Sequence, residues 1–461
     1  MHTNILSLTD SYKLTHWLQY PPKTEYVYSY FESRGGQFKE TVFFGLQYII
    51  KKYLTGVRVT QHMIDEMAKI TEQHIGPGVF NREGWEHIAK THGGRLPVRI
   101  KAVPEGTVVP KHNVLMTVEN LDPACYWLTN YLETLLVQVW YPCTVATQSR
   151  AIRKLILDRL EKTGDPSLIN FKLHDFGFRG VSSVESAAIG GAAHLLNFMG
   201  TDTLAALLMA RDYYGATEMP GFSIPAAEHS TITSWGRENE AAAMQNMLDK
   251  YPNGTVAVVS DSYDIYNACS NIWGEKLHDQ VVARDGVLVV RPDSGDPAQV
   301  VLKVLEALGA KFGHTRNSKG YKVLNEKVRV IQGDGVNLDT IDKILFVLSY
   351  NKWSTDNIAF GMGGALLQKL DRDTQKFAFK CSSVTVDGVE RDVYKDPVTD
   401  PGKASKMGRL MLVQEPGDMS NLVTLPASAA STFRDELVTV FDRGELVEEW
   451  TFDQCRKRAQ S

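Results

Sequence analysis

The sequence predicts an α/β protein with a β/α barrel-like core and a second, more β-rich mixed α/β region. Two observations carry that prediction. From about residue 170 a short apolar run, a polar or glycine-rich turn and a helix recur in order, and such repetition builds parallel strands with helices packed outside. The polar motifs all follow the strands, at the end where the loops of a barrel converge and ligands bind. With 461 residues, 43% hydrophobic and 23% charged, the chain can bury a large core without disulfide staples. The expected division is a mixed α/β region over 1–150, a barrel-like core over 151–375, and a segment over 376–461 that packs with the first region.

The elements follow in order. Tyr26–Phe31 and Val98–Val103 read as strands. Asp122–Pro142 reads as one long, mostly buried helix, with Pro123 in its first turn and Pro142 as its stop. Ser182 and Glu185 have the spacing of a capping box. Thr255–Val259 and Val287–Val290 read as successive strands. After the second, Asp296 caps a helix with Pro297 at its first position, and Val301, Val304, Leu305 and Leu308 line one face. "VRVIQGDGVN" repeats the unit, with Leu338, Ile341, Ile344, Leu345 and Leu348 at helical spacing, and "NIAFGMGGALL" repeats it again.

Composition excludes several classes of function. The net charge of −4 gives no global basic field for nucleic acid. Cys125, Cys143, Cys269, Cys381 and Cys455 are scattered and odd in number, so neither a disulfide framework nor a zinc site is signalled. Reduced thiols fit a cytoplasmic protein. No apolar run approaches the ~18 residues needed to span a bilayer, and "MHTNILSLTDSYK" has no basic-then-apolar signal.

Several motifs carry chemistry. In "RPDSG", Arg291 can grip a phosphate at two points and Asp293 suits ribose hydroxyls or Mg²⁺; a structural salt bridge at a barrel rim explains the pair equally. "QGDGV" and "FGMGGA" put glycines between a strand and a helix, where backbone N–H groups bind phosphate. Neither is a Walker loop, and Leu366 stands where GxGxxG needs its last glycine. Three such turns at one barrel face point to a phosphorylated sugar. Phe176, in "DFGFRG", either stacks on a flat ligand or packs in the core. The run "YKDPVTDPGKASKMGR" holds Lys395, Lys403, Lys406 and Arg409, as a solvated loop or a lid over a polyphosphate. His229, in "PAAEHSTITSWG", has no HExxH context and no partner at ligand spacing. As far as the local residues go, a base, a phosphate acceptor and a buried histidine remain open for it.

Longer motifs resolve some of this. "TDSYKLTHW", "YSYFESR", "LHDFGFRGVSS", "GTDT", "PAAEHSTIT", "SDSYDIYNAC", "RPDSGDP", "VIQGDGV", "NIAFGMGGALLQKL" and "KDPVTDP" resemble, in order and over essentially the whole chain, the nicotinamide phosphoribosyltransferase family. The resemblance implies the type II phosphoribosyltransferase fold and a homodimer with active sites at the subunit interface. It implies synthesis of nicotinamide mononucleotide and pyrophosphate from nicotinamide and phosphoribosyl pyrophosphate (PRPP), with Mg²⁺, and stimulation by ATP as a co-substrate through a phosphohistidine. By the same resemblance His229 is the phosphate acceptor and Asp261 orients it. Phe176 and a partner's Tyr12 stack on the pyridine, Asp202 meets the carboxamide, and Arg179 lines that pocket. Arg291, Gly333, Gly363 and Gly364 surround the 5′-phosphate. Asp293 and Asp334 hold ribose and metal. Arg34, Arg372, Lys380 and Lys395 contact pyrophosphate, largely from the other chain. Met362 and Ala365 depart from the family's smaller residues, and "SRGGQFKETV" is shorter than in some members. Nicotinate phosphoribosyltransferase and a non-catalytic pyridine-nucleotide-binding protein are the alternatives. Asp202 argues against the first, because a carboxylate repels nicotinate.

Overall fold

The computed structural model describes residues 4–399, 404–415 and 417–461. Lys403, in the expected basic loop, lies outside them. The chain divides into two compact units: 1–147 with 210–216 and 370–461, and 148–209 with 217–369.

The first unit is built on a seven-stranded antiparallel sheet. In spatial order its strands are Val389–Asp392, Phe377–Val386, Thr24–Ser33, Val114–Asn120, Val98–Ala102, Val438–Asp442 and Glu445–Leu446. C-terminal strands thus flank N-terminal ones on both sides. The short segment 210–216 joins this unit through Tyr214, whose hydroxyl donates to the fully buried Glu105 at 2.8 Å. Glu105 also accepts the Gly45 N–H at 2.8 Å and the Gln47 N–H, at the start of the helix Leu46–Ile49. A buried carboxylate needs such donors. Even so, burial holds its carboxyl above the ordinary range, against the pull of those bonds.

The second unit is a six-stranded, wholly parallel sheet. Its order is Gly200–Thr201, Leu173–Asp175, Ile358–Met362, Val328–Gln332, Asp285–Arg291 and Asn253–Val259. The segment before His229 spans its two edges. Phe222 bridges Gly200 at one edge and Ala226 bridges Ala257 at the other, both in parallel sense. The Ala227 N–H donates to Ala257 O and the Ala257 N–H to Pro225 O, each at 2.9 Å. This closure is what makes the sheet barrel-like, and it removes the open edges that a parallel sheet cannot leave in water. Ala257, Val289 and Ile331 form one buried cluster, with Phe176, Val287 and Ala359 packed against it.

Most expected elements are present. Asp296 caps Pro297–Phe312, accepting the Gln299 N–H at 3.1 Å. Asn337 caps Leu338–Tyr350. Three expectations fail. Asp122–Pro142 is not one helix but three short turns, Pro123–Cys125, Leu128–Tyr131 and Glu133–Val137. Pro142 does not stop a helix; it lies in the first turn of Trp140–Thr163, where a missing N–H costs nothing. The helix Val184–His194 is capped by Ser183, not Ser182, with its Oγ accepting the Ser186 N–H at 3.0 Å. Among the described residues no helix is long and apolar enough to cross a membrane.

Gly106 ties the two ends of the first unit together. It has φ +91°, and a Cβ there would lie 2.0 Å from the carbonyl oxygen of Cys455, on the C-terminal helix. Gly106→Ala is expected to lose at least about 2 kcal/mol, from left-handed strain plus displacement of that helix. Denaturant unfolding with an unchanged midpoint would contradict this packing.

Candidate active site

The barrel-like unit gathers most of the expected site at the C-terminal ends of its strands. Parallel pairing puts it there. From the Ala226–Ala257 bridge both segments run the same way, so His229 and Asp261 emerge side by side just beyond the sheet. His229 Nε2 lies 2.9 Å from Asp261 Oδ1; the imidazole is 47% exposed and the carboxylate only 5%. Ser294 Oγ donates to Asp261 Oδ2 at 2.6 Å, which ties the "RPDSG" loop to the "SDSYD" loop. Thr233 Oγ1 donates to the His229 carbonyl at 2.8 Å and steadies the short helix His229–Thr233.

Next to this pair, Arg291 donates to Asp293 twice, Nε to Oδ1 at 3.1 Å and Nη2 to Oδ2 at 2.9 Å. A two-point guanidinium ordinarily pulls a carboxylate down. Here burial comes first and, with the charge of Asp261, holds Asp293 above the usual range despite Arg291 and His229. The salt bridge read as an alternative from sequence is therefore present, and the guanidinium's other N–H donors remain for an anion.

Phe176 fills the mouth of the barrel. Its N–H donates to the Met362 carbonyl at 3.0 Å. The Arg291 guanidinium stands 5.4 Å from its ring centroid, and the His174 ring 5.1 Å away. Glycines make its room. A Cβ at Gly361 would lie 1.9 Å from Phe176 Cε2, and one at Gly333 would meet Phe176, Arg291 and Asp293 at 3.2–3.3 Å. Gly364 is open on the side where a Cβ would project, and a Cβ at Gly180 would come 3.3 Å from the Gly364 Cα. Gly363, just before it, would place a Cβ 3.5 Å from the Phe176 carbonyl. Arg179 and Asp334 are exposed.

Asp202 follows the strand Gly200–Thr201. His174 Nε2 lies 2.8 Å from its Oδ1, and Ser223 Oγ donates to the same oxygen at 2.5 Å. Burial opposes ionisation, yet the hydrogen bonds from His174 and Ser223 and the charges of His174 and Arg291 outweigh it. The carboxyl sits below its ordinary range. His174 was not singled out in the sequence. It stands two residues before Phe176, the strand spacing that puts side chains on one face, and that spacing was the available signal.

The other unit holds the remaining residues. Arg34, Arg372, Lys380 and Lys395 line one cavity of about 690 Å³, joined by His112, Glu133 and Lys376. Arg34 follows the strand Thr24–Ser33, on which Tyr30 pairs with Lys380. Its Nε donates to Glu32 at 2.9 Å, while its Nη2 is buried with no hydrogen-bond partner, an arrangement that invites an anion. Burial first, then Arg34, Lys395 and Arg372, push the Lys380 ammonium below an ordinary lysine; Glu133 opposes them. Lys406 pairs with Glu32, and Arg409 with Glu119 and Glu390. Of the described cations in the expected basic loop, only Lys395 lines this cavity. Tyr12 belongs to this unit too, 59% exposed on the turn Ser11–Leu18.

A closed parallel sheet with a glycine rim at its strand ends, in one chain with a β-rich unit that holds a cationic cavity, defines a phosphoribosyltransferase of the type II fold. Residues 171–445 match the Nicotinate phosphoribosyltransferase (NAPRTase) family, and residues 4–100 match the Nicotinamide phosphoribosyltransferase N-terminal domain. The chain belongs to the nicotinamide phosphoribosyltransferase family. A nicotinamide phosphoribosyltransferase of Xanthomonas campestris pv. campestris (strain 8004) is 54% identical, covering 99% of this chain and 98% of its own. One of Acinetobacter baylyi is 34% identical, covering 99% and 97%. The nicotinate-nucleotide pyrophosphorylase structure from Pyrococcus furiosus shares the fold at TM-score 0.62, with 16% identity, over 100% of this chain and 96% of that one.

Lys380 generates a pH prediction. An anion favours its protonated form, so affinity for inorganic pyrophosphate should fall as pH rises through the lowered Lys380 value, before an ordinary lysine discharges. Lys380→Met should weaken binding at neutral pH by roughly 10–150-fold, the scale of a charge-assisted hydrogen bond, and should remove that limb. Calorimetric titration across pH checks it; a limb that persists in the variant belongs to another group.

Proposed function

We propose that the protein joins nicotinamide to PRPP, giving nicotinamide mononucleotide and pyrophosphate in NAD salvage, with ATP as a stimulating co-substrate. The observation that carries this reading is Asp202. It is held ionised, and both of its described contacts fall on Oδ1, so Oδ2 is left to accept the carboxamide NH₂. His174 links it to Phe176, the ring that would stack on the pyridine. Nicotinate would bring a second carboxylate to this point. That disfavours the nicotinate reading, and the intact His229–Asp261 pair disfavours a binding protein without turnover.

The chemistry follows from positioning. The pyridine nitrogen attacks ribose C1, the C1–N bond forms, and the C1–O bond to pyrophosphate breaks, with its electron pair leaving on oxygen. The centre passes through an oxocarbenium-like state, as in glycosyl transfer. A neutral ring nitrogen needs no general base, so orientation and stabilisation of the leaving charge supply the rate. Gly333, Gly363, Gly364 and Arg291 are suited to the 5′-phosphate, Asp293 and Asp334 to the ribose, and Arg179 to the pocket rim. Arg34, Arg372, Lys380 and Lys395 would take the pyrophosphate, and Tyr12 the outer face of the pyridine, contributed by a second copy in a homodimer.

Asp293 and Asp334 offer carboxylate oxygens, the donor type that suits Mg²⁺. Because Asp293 already gives both oxygens to Arg291, the ion would arrive on the diphosphate, where it neutralises charge. His229, with Nε2–H directed to Asp261, presents the lone pair of Nδ1. Phosphoryl transfer from ATP would form an N–P bond there and release ADP. Four of the five free cysteines are buried, which fits the cytoplasm.

One assay tests the reading: PRPP and Mg²⁺ with either base, with and without ATP, products identified by mass. Asp202→Asn replaces the acceptor with an amide and should lower kcat/KM for nicotinamide by about 10–200-fold while shifting preference toward nicotinate. An unmoved ratio of the two bases would show that Asp202 does not read the carboxamide. In the same assay His229→Ala should keep ATP-independent synthesis and lose ATP stimulation; stimulation that survives would remove His229 from the role.

A further inference from the structure

A second constellation lies outside everything assigned above. His87 is on the helix Arg82–Thr91 and His92 is its C-cap. Asp122 caps the turn Pro123–Cys125, which ends at the buried Cys125. His87 Nε2 and His92 Nε2 lie 2.7 and 2.6 Å from the same oxygen, Asp122 Oδ2. With Cys125 they offer four ligand atoms, all within 4.8 Å of one another. None of the four lines the cationic cavity or the barrel mouth.

The supporting contacts aim these atoms. Asp122 Oδ1 accepts the Ala124 N–H at 2.9 Å, which turns Oδ2 toward the histidines. Thr91 Oγ1 stands 3.2 Å from His87 Nδ1 and leaves Nε2 as the inward nitrogen, the outer partner a ligating histidine ordinarily has. The histidine side chains are 34% and 23% exposed, so the cluster opens to solvent on one side and closes on the thiol at the other. Hydrogen bonding alone accounts for the two rings on one carboxylate but gives the sulfur no part.

We propose that His87, His92, Asp122 and Cys125 form a zinc site that pins the helix Arg82–Thr91 to the turn Pro123–Cys125. Two nitrogens, one sulfur and one carboxylate oxygen suit a borderline-soft ion and not Mg²⁺. Four protein ligands make the site closed and structural. Binding forms two Zn–N bonds, one Zn–O bond and one Zn–S bond. The Cys125 thiol proton, and any proton bound between the rings and Asp122, passes to solvent. The sequence hid the set because its ligands come as two pairs, His-x₄-His and Asp-x₂-Cys, about thirty residues apart and without a second cysteine.

The test uses the full-length protein, freed of metal with a chelator and titrated with Zn²⁺, then with Co²⁺. One equivalent of zinc per chain should bind, raise the melting temperature, and in the cobalt form give a thiolate-to-metal absorption band. Cys125→Ser should abolish that band. His92→Gln, at a partly exposed position that keeps the fold, should weaken zinc by more than about 100-fold, beyond the loss of an outer partner, and cancel the thermal shift. No stoichiometric binding, cobalt binding without the thiolate band, or zinc binding unchanged in His92→Gln would each overturn the site.

Discussion

The parallel pairing of Pro225–Ala227 with Ala257 is the contact on which the barrel-like unit depends. Together with the Phe222–Gly200 bridge at the other edge, it closes a six-stranded sheet that would otherwise end in open backbone. It also fixes a register. Because the side-chain period of a strand is two, a one-residue slip would turn the following side chains to the opposite face. His229 would then leave Asp261, and the Ser294 bond that braces Asp261 would hold a carboxylate with nothing to orient. The closure of the fold and the setting of the histidine are one constraint.

Around that register the site is made by subtraction as much as by addition. The inner layer uses Ala257, Val289, Ile331 and Ala359, modest side chains that leave the barrel mouth to Phe176. Gly361 and Gly333 yield the space its ring and the Arg291–Asp293 pair occupy. Charge is sorted by unit. The barrel-like unit holds its acids in hydrogen-bonded settings of opposite effect, Asp202 pushed below the carboxylate range and Asp293 above it. The β-rich unit concentrates cations in one cavity, with a buried Arg34 nitrogen left unpaired. The first arrangement suits recognition of a neutral amide and a sugar; the second suits a leaving diphosphate.

Much of this was legible in the sequence, for identifiable reasons. The parallel strands announce themselves as apolar runs buried on both faces, and Asp296–Pro297 marks a helix start by chemistry that is local. The glycines stand out because each adjoins a strand end. What failed was non-local. Asp122–Pro142 carries an unbroken apolar pattern, but the regular helix is interrupted after Cys125, Tyr131 and Val137, and tertiary packing rather than propensity sets such breaks. A capping serine next to another serine cannot be placed to the residue. His174 and Ser223 acquire meaning only once the sheet brings them to Asp202. The pairs His87–His92 and Asp122–Cys125 meet only through the packing of a helix against a turn.

The setting of His229 can be read directly. With Nε2–H committed to Asp261, the nitrogen open to phosphorylation is Nδ1. Protein carrying ¹⁵N-labelled histidine, incubated with ATP and Mg²⁺, would be examined by ³¹P–¹⁵N correlation NMR at alkaline pH. A single phosphohistidine, bonded through Nδ1 and absent from His229→Ala, is the predicted result. Phosphate on Nε2, or on any residue other than His229, would contradict the register from which the site is built.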